Sequence, residues 1–172
     1  LSAIGALTKG VALGTAVTCP TLRYNPAVLA QAFATLESLC PGRVFLGVGT
    51  GEALNEVPVG CRWPMFTERL EMLEEAINVI RMLWRGGFNT YRGKYYTLNR
   101  AKIYEKPSRP IPIYIATTGP RVAELAGRYA DSFMTLPMPR ERYTDVLFPA
   151  LEKGARKAGR DPSKIEKSIL IH

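Results

Sequence analysis

The sequence predicts an α/β fold built on a parallel sheet. Three observations point there. Short apolar runs alternate with segments of helical period along the chain. Glycine and proline separate them. Val44, Phe45, Leu46 and Val48 form a run whose density suits a strand covered on both faces. Repeated βα units of this kind imply parallel pairing with right-handed crossovers.

Each element has its own justification. VALGTAV (11–17) reads as a buried strand. Residues 15–26 form a connection longer than the usual two to six or so residues, and such loops at the carboxyl side of a parallel sheet carry function. Arg23, Tyr24 and Asn25 in it either touch a ligand or cap the next helix. Val28, Leu29, Ala32, Phe33 and Leu36 then keep helical spacing from Pro26 to Leu39, with Pro26 suited to the first turn and Pro41-Gly42 as the stop. The next strand covers 43–48. Phe66, Leu70, Leu73, Ile77, Ile80 and Trp84 step by fours and threes along one face of a long helix. Glu68, Glu71, Glu74 and Glu75 lie in its front half and Arg81 and Arg85 at its end, an order that suits the helix dipole, before Gly86-Gly87 stops it. Thr90-Tyr91 and Tyr95-Tyr96 around Arg92-Gly93-Lys94 predict a hairpin excursion. IPIYIAT (111–117) is a strand, Gly119-Pro120 opens a helix to about Tyr129, and SFMT (132–135) is a short strand. A helix over 140–158 closed by Gly159 and a last strand over 164–171, ended by His172, complete one domain spanning 1–172.

Composition narrows the function. Hydrophobic residues make up 47% of the 172, which argues against disorder. No run approaches the ~20 apolar residues of a membrane span, and the N-terminus is a poor signal peptide. A start without Met, inside a helix end, is what a fragment would show. The net charge of +8 is either a solvated basic surface or an attraction for an anionic ligand such as a phosphorylated cofactor. The basic residues are scattered and form no nucleic-acid motif, so no nucleic-acid partner is expected. Cys19, Cys40 and Cys61 make neither a CxxC pair nor a zinc pattern and are expected to be reduced and structural, with a site-lining role as the alternative for Cys19 at a strand end.

Three segments carry candidate chemistry. In GVGTGEALNE a Rossmann loop fails, because G-x-G-x-x-G would need a third glycine at Glu52 or Leu54. A polar strand end against a flavin-like ring fits, and so does a glycine-rich turn with a capping Glu. In ATTGPRVAELAG, Thr117, Thr118 and Gly119 stand at the positive end of a helix, which suits either a phosphate or a plain N-terminal cap. His172 is the one histidine, so no Ser/His/Asp or Cys/His set can be assembled.

Together, TCPTLRYNPAVLAQAFATLESLCPGRVFLGVGTGEALNE (18–56), WPMFTERLEML, GKYYTL, IPIYIATTGP and AGRYADSF closely resemble the deazaflavin-dependent glucose-6-phosphate dehydrogenases and their sister oxidoreductases in the luciferase-like superfamily. The resemblance implies a (β/α)8 barrel about twice as long as this chain, with strands three to seven and the hairpin insertion present here. It implies coenzyme F-420, an 8-hydroxy-5-deazaflavin with an anionic tail, and hydride exchange with a CH–OH substrate in a cytoplasmic enzyme that is often a dimer. By position, Ala16-Val17 matches a strand bulge with a non-proline cis peptide behind the ring. Gly49, Thr50, Gly51, Glu52 and Asn55 match the ring-contact segment, and Ala116, Thr117, Thr118 and Gly119 the phosphate cradle. Glu52 is given the role of proton donor to the ring, a task favouring a carboxyl raised by burial. The family's histidine base is absent from these residues. The loop that carries a threonine and a lysine for sugar phosphate reads Leu136-Pro137-Met138-Pro139 here, which turns the expectation toward a less charged alcohol. An FMN-dependent luciferase-like monooxygenase and a non-catalytic binding module on a barrel remain the alternatives. No metal is expected.

Overall fold

The computed structural model describes Leu1–Ile171; His172 lies outside the described residues. In chain order the elements are α1 (Ser2–Leu7), β1 (Leu13–Gly14), α2 (Pro26–Leu39), β2 (Val44–Val48), α3 (Ala53–Glu56), α4 (Phe66–Trp84), β3 (Asn89–Arg92), β4 (Thr97–Ala101), β5 (Ile113–Ala116), α5 (Pro120–Tyr129), β6 (Ser132–Thr135), α6 (Phe148–Lys157) and β7 (Glu166–Ile169). A five-stranded sheet has the order β1-β2-β5-β6-β7, and β3 and β4 pair separately as an antiparallel hairpin. The ladders β2–β5, β5–β6 and β6–β7 are parallel, as the βα alternation requires. The chain divides into two compact units: Leu1–Gly14, Thr18–Val44 and Thr50–Ile111 in the first, and Thr15–Val17, Phe45–Gly49 and Pro112 onward in the second.

In the first unit α2 and α4 bury Leu29, Phe33, Leu73, Ile77, Ile80 and Leu83. The Trp84 indole donates to Ala30 O at 2.9 Å and ties the two helices further. Asn25 caps α2 by accepting from Ala27 N at 2.9 Å, so the capping alternative holds for that residue. Glu37, 1% exposed, is a structural carboxylate: it accepts from Gly42 N and from the Ser108 amide and hydroxyl. Arg43 holds the N-terminal segment by donating to the carbonyls of Gly5, Thr8 and Val11. The acidic front half of α4 does more than complement the dipole. Glu75 accepts from three successive amides, Lys94, Tyr95 and Tyr96, and Glu71 accepts from Lys94 Nζ and the Tyr95 hydroxyl. That capture of the turn by a helix carboxylate is why β4 begins at Thr97, past Tyr95-Tyr96.

In the second unit the strands alternate. Leu46, Val48, Ile113, Ile115 and Phe133 are buried on the helix-covered face. Gly47, Tyr114, Ser132 and Glu166 are in register on the other, where Phe45 stacks on Tyr114 at 4.5 Å. Tyr114 donates to Glu166 Oε2 at 2.9 Å, and the hydroxyls of Ser132 and Ser168 are 2.7 Å apart. Helices α5 and α6 cross backbone to backbone. A Cβ on Gly127 would collide with Leu151 O, and one on Gly154 with Glu124 O. Arg160 closes the contact by donating to Gly127 O at 2.9 Å and Ala130 O at 2.6 Å, the carbonyl end of α5.

Three predicted elements change; the last strand, expected over 164–171, is confined to Glu166–Ile169 because Pro162–Lys164 forms a 3-10 turn capped by Asp161. The strand expected over 11–17 pairs as a strand only at Leu13–Gly14, because past Gly14 a side chain replaces the ladder: Thr15 Oγ1 donates to Gly47 O at 3.0 Å. The helix expected over 140–158 is wound as a π-helix from Arg142 to Leu147, with Phe148 N donating to Tyr143 O five residues back. Pro149 explains it, since without an N–H it cannot continue the four-residue ladder.

A Gly154→Ala substitution is expected to lower stability by about 1–3 kcal/mol, read as a urea midpoint, because backbone atoms oppose the new methyl. Lys157 and Lys153 hydrogen-bond Glu124 and hold its carboxyl down to about 2. A carboxyl depressed on folding stabilises above its unfolded value and loses that stabilisation as pH falls toward the folded one. Unfolding between the ordinary carboxylate range and about pH 2 is therefore expected to be less acid-sensitive in Glu124→Gln than in the parent protein.

Candidate functional site

The second unit builds two features at the carboxyl ends of its strands. Gly47 and Gly49 close the end of β2 against residues 15–17. A Cβ on Gly47 would collide with the Thr15 carbonyl, whereas one on Gly49 would meet only Val17 Cγ2 at 3.0 Å. The Ala16–Val17 peptide bond is cis, as the resemblance implies, and both residues are exposed. With glycines beneath it, this segment presents backbone and small side chains to whatever it faces.

The second feature follows β5. Ala116 is half-buried, and Thr117, 6% exposed, folds back on its own turn: its hydroxyl accepts from Gly119 N at 3.1 Å and donates to Gly119 O at 2.8 Å. Thr118 is exposed, and Arg142 donates to its carbonyl at 3.2 Å. Gly119 is the N-cap of α5 with no side-chain cap bond, no acid stands in the first turn, and a Cβ at Gly119 would meet nothing within 4 Å. A plain capping role for the threonines is therefore not what the structure has. An open helix start with positive polarity suits a phosphate.

The first unit carries the acid and the amide. Thr50 and Gly51 are half-buried, Glu52 and Asn55 are exposed, and Glu52 is the N-cap of α3 without a side-chain bond. The capping alternative for this Glu thus fails, and the burial its proton-donor role favours is absent in this chain. The buried carboxylate of the segment is Glu56, 1% exposed and held by Arg23 through Nε–Oε2 at 3.1 Å and Nη2–Oε1 at 3.3 Å. Gly51 sits at φ +83°, where a Cβ would lie 2.7 Å from Cys19 Sγ. Cys19 is a buried free thiol 3.0 Å from the Thr21 hydroxyl, and Cys40 and Cys61 are free thiols too. Tyr96 donates to Thr21 O at 3.0 Å, and its burial raises the phenol above its ordinary value. Arg69, lowered by burial, lies 3.9 Å from the centre of the Trp63 ring and donates to Pro64 O.

Sequence reasoning singled out Glu52 and Asn55 as candidates but not the Arg23–Glu56 pair. Its signal, an arginine in the 15–26 loop and a second acid four residues after the first, is visible only once a fold brings them together. The loop Leu136–Pro139 is neutral as read, and Tyr143 clasps it by donating to Leu136 O and accepting from Met138 N, both at 2.8 Å. Among the described residues no group of three or more His, Cys, Asp or Glu could hold a metal ion.

The family model described as luciferase-like monooxygenase matches residues 1–172. The chain belongs to the luciferase-like monooxygenase family. It is 53% identical over 161 residues to an F-420-dependent glucose-6-phosphate dehydrogenase of Nakamurella multipartita, covering 93% of this chain and 48% of that protein. Against the enzyme of the same description from Segniliparus rotundus it is 51% identical, covering 99% of this chain and 52% of the relative. A solved F-420-dependent secondary alcohol dehydrogenase, in complex with an F-420–acetone adduct, superposes with a TM-score of 0.95 at 47% identity over 98% of this chain and 52% of that one. The coenzyme F-420-dependent tetrahydromethanopterin reductase of Methanopyrus kandleri gives 0.87 at 25% identity, covering 98% and 52%. The chain thus spans about half the length of the curated relatives it matches, and its α/β architecture is a partial luciferase-like (β/α)8 barrel.

Gly47→Ala is expected to cost about 1–3 kcal/mol in urea unfolding, because a backbone carbonyl opposes the methyl. Gly49→Ala is expected to stay within about 1 kcal/mol of the parent, because the Val17 side chain can turn away.

Proposed function

We propose that the protein is an oxidoreductase that exchanges hydride between a CH–OH substrate and the deazaflavin coenzyme F-420. One observation carries the reading: close relatives described by different substrates, a sugar phosphate and a secondary alcohol, have F-420 in common. The residues fit that cofactor. The glycine-floored Ala16–Val17 segment suits the flat face of a ring, and the open start of α5 with Ala116, Thr117, Thr118 and Gly119 suits its phosphate. Gly49, Thr50, Gly51 and Asn55 are the further ring contacts in this reading.

When bound, F-420 supplies a two-electron hydride acceptor with little oxygen chemistry. The chain's own part is positional and acid–base. As a CH–OH carbon becomes a carbonyl, its hydride leaves for the cofactor and its hydroxyl proton for a base. Glu52 manages the proton that the cofactor ring gains or loses. The neutral Leu136–Pro139 loop favours an uncharged alcohol over a sugar phosphate, since it offers a phosphate no cation. The reading carries with it a small-molecule substrate, a cytoplasmic location and a homodimer.

Titrating the product of the complete gene with F-420 and with FMN tests the proposal. Binding of F-420 with weak or no FMN binding is expected; tight FMN binding without F-420 binding would overturn it in favour of a flavin monooxygenase. Glu52→Gln is expected to lower kcat by about 10²–10⁴-fold while F-420 affinity changes little. Unchanged turnover would remove Glu52 from the chemistry.

A further inference from the structure

We infer that Arg23 and Glu56 are positioning residues, a fixed ion pair that sets the place of Glu52 and Asn55. The inference rests on the function proposed above. It starts from the shortness of α3. Four residues form one turn, and a single turn has no stability of its own in water. Asn55 N and Glu56 N both donate to Glu52 O at 3.0 Å. The acid, the amide and Glu56 therefore share one hydrogen-bonded turn, and whatever holds Glu56 holds the other two.

Glu56 is held from outside the turn. Its carboxylate is 1% exposed; Arg23 Nη2 donates to Oε1 at 3.3 Å, and Nε stands 3.1 Å from Oε2 as an ion pair without a hydrogen bond, so charge and one directed bond hold the group in place. Arg23 in turn stands two residues before Asn25, which caps the fourteen-residue helix α2. The pair therefore transmits the rigidity of a long helix to a turn that has none. The packing agrees: a Cβ at Gly51 would lie 2.7 Å from Cys19 Sγ and 3.5 Å from Glu56 Oε1, so the residue before Glu52 rests on the same cluster. Glu52 and Asn55 are both exposed, and among the described residues Glu52 has no side-chain cap bond to fix it otherwise.

The pair differs from an ordinary buried salt bridge in what it controls. Its loss would release a short segment while leaving the α2–α4 core in place. Lysine at 23 keeps the charge but not the planar guanidinium that sets one nitrogen against each oxygen, and glutamine at 56 keeps the shape but not the charge.

The test uses Arg23→Lys, Glu56→Gln and the double variant in the product of the complete gene. F-420 binding is followed by titration, turnover by kcat and KM, and backbone order by amide hydrogen exchange. The expected result is about ten-fold weaker F-420 binding and about ten-fold lower kcat in each single variant, with substrate KM within about two-fold. The double variant is expected to be no worse than the poorer single, as for two members of one interaction. Amides 52–56 should exchange about ten-fold faster, with α2 and α4 unchanged. F-420 binding and turnover like the parent's in both single variants would overturn the inference and leave the proposed function standing. Faster exchange throughout α2 and α4 would overturn it too, by showing a general structural role. A parent protein that binds no F-420 would instead overturn the proposed function and this inference with it.

Discussion

Backbone in this protein repeatedly meets backbone with nothing between. Gly47 lies against the Thr15 carbonyl, Gly127 against Leu151 and Ala155, and Gly154 against Glu124. Each approach forbids a β-carbon. The first lets the residues after β1 run directly over the end of β2. The second and third let α5 and α6 pack closely enough to cover one face of the β5–β6–β7 ladder. The interiors that result are dense, with Leu46, Ile113, Ile115, Leu125 and Leu151 fully buried. The strand ends are then left for polar groups to line.

Charge is handled differently in the two compact units. In the first, buried carboxylates do structural work: Glu37 and Glu56 are each 1% exposed, and each has named partners. A carboxylate taken out of water has to be hydrogen-bonded or paired, and these are. Glu75 serves a third time as a backbone surrogate, accepting the amides of a hairpin turn. In the second unit the helix start at Gly119 has no acid beside it, so no carboxylate in the first turn offsets the positive end of the α5 dipole.

Much of this was legible beforehand where local rules act alone. Pro26–Leu39, Phe66–Trp84 and Ser132–Thr135 follow from spacing and stop signals, because apolar period and proline or glycine punctuation act within a few residues. The short extent of β1 and the π-wound segment were not legible. Both depend on which atom takes a hydrogen bond: Thr15 Oγ1 in place of a ladder amide, and Tyr143 O five residues before Phe148. Periodicity is blind to such substitutions. Within the candidate site, Glu52 and Asn55 were visible as types in a motif, but their exposure, and the burial of Glu56 in their stead, were not.

By itself the amino-acid order determined the alternation of strands and helices, the parallel class of the sheet, the glycine-rich turn after β2 and the resemblance that points to a deazaflavin. These are properties of neighbours in sequence. Tertiary structure alone decided that Arg23 meets Glu56 at a separation of 33 residues, that Glu75 reaches 19 to 21 residues ahead to hold a hairpin, and that Gly154 must stay bare because Glu124 is behind it. The reason is physical. Burial and pairing are set by which distant groups share a small volume, and no local pattern encodes that volume.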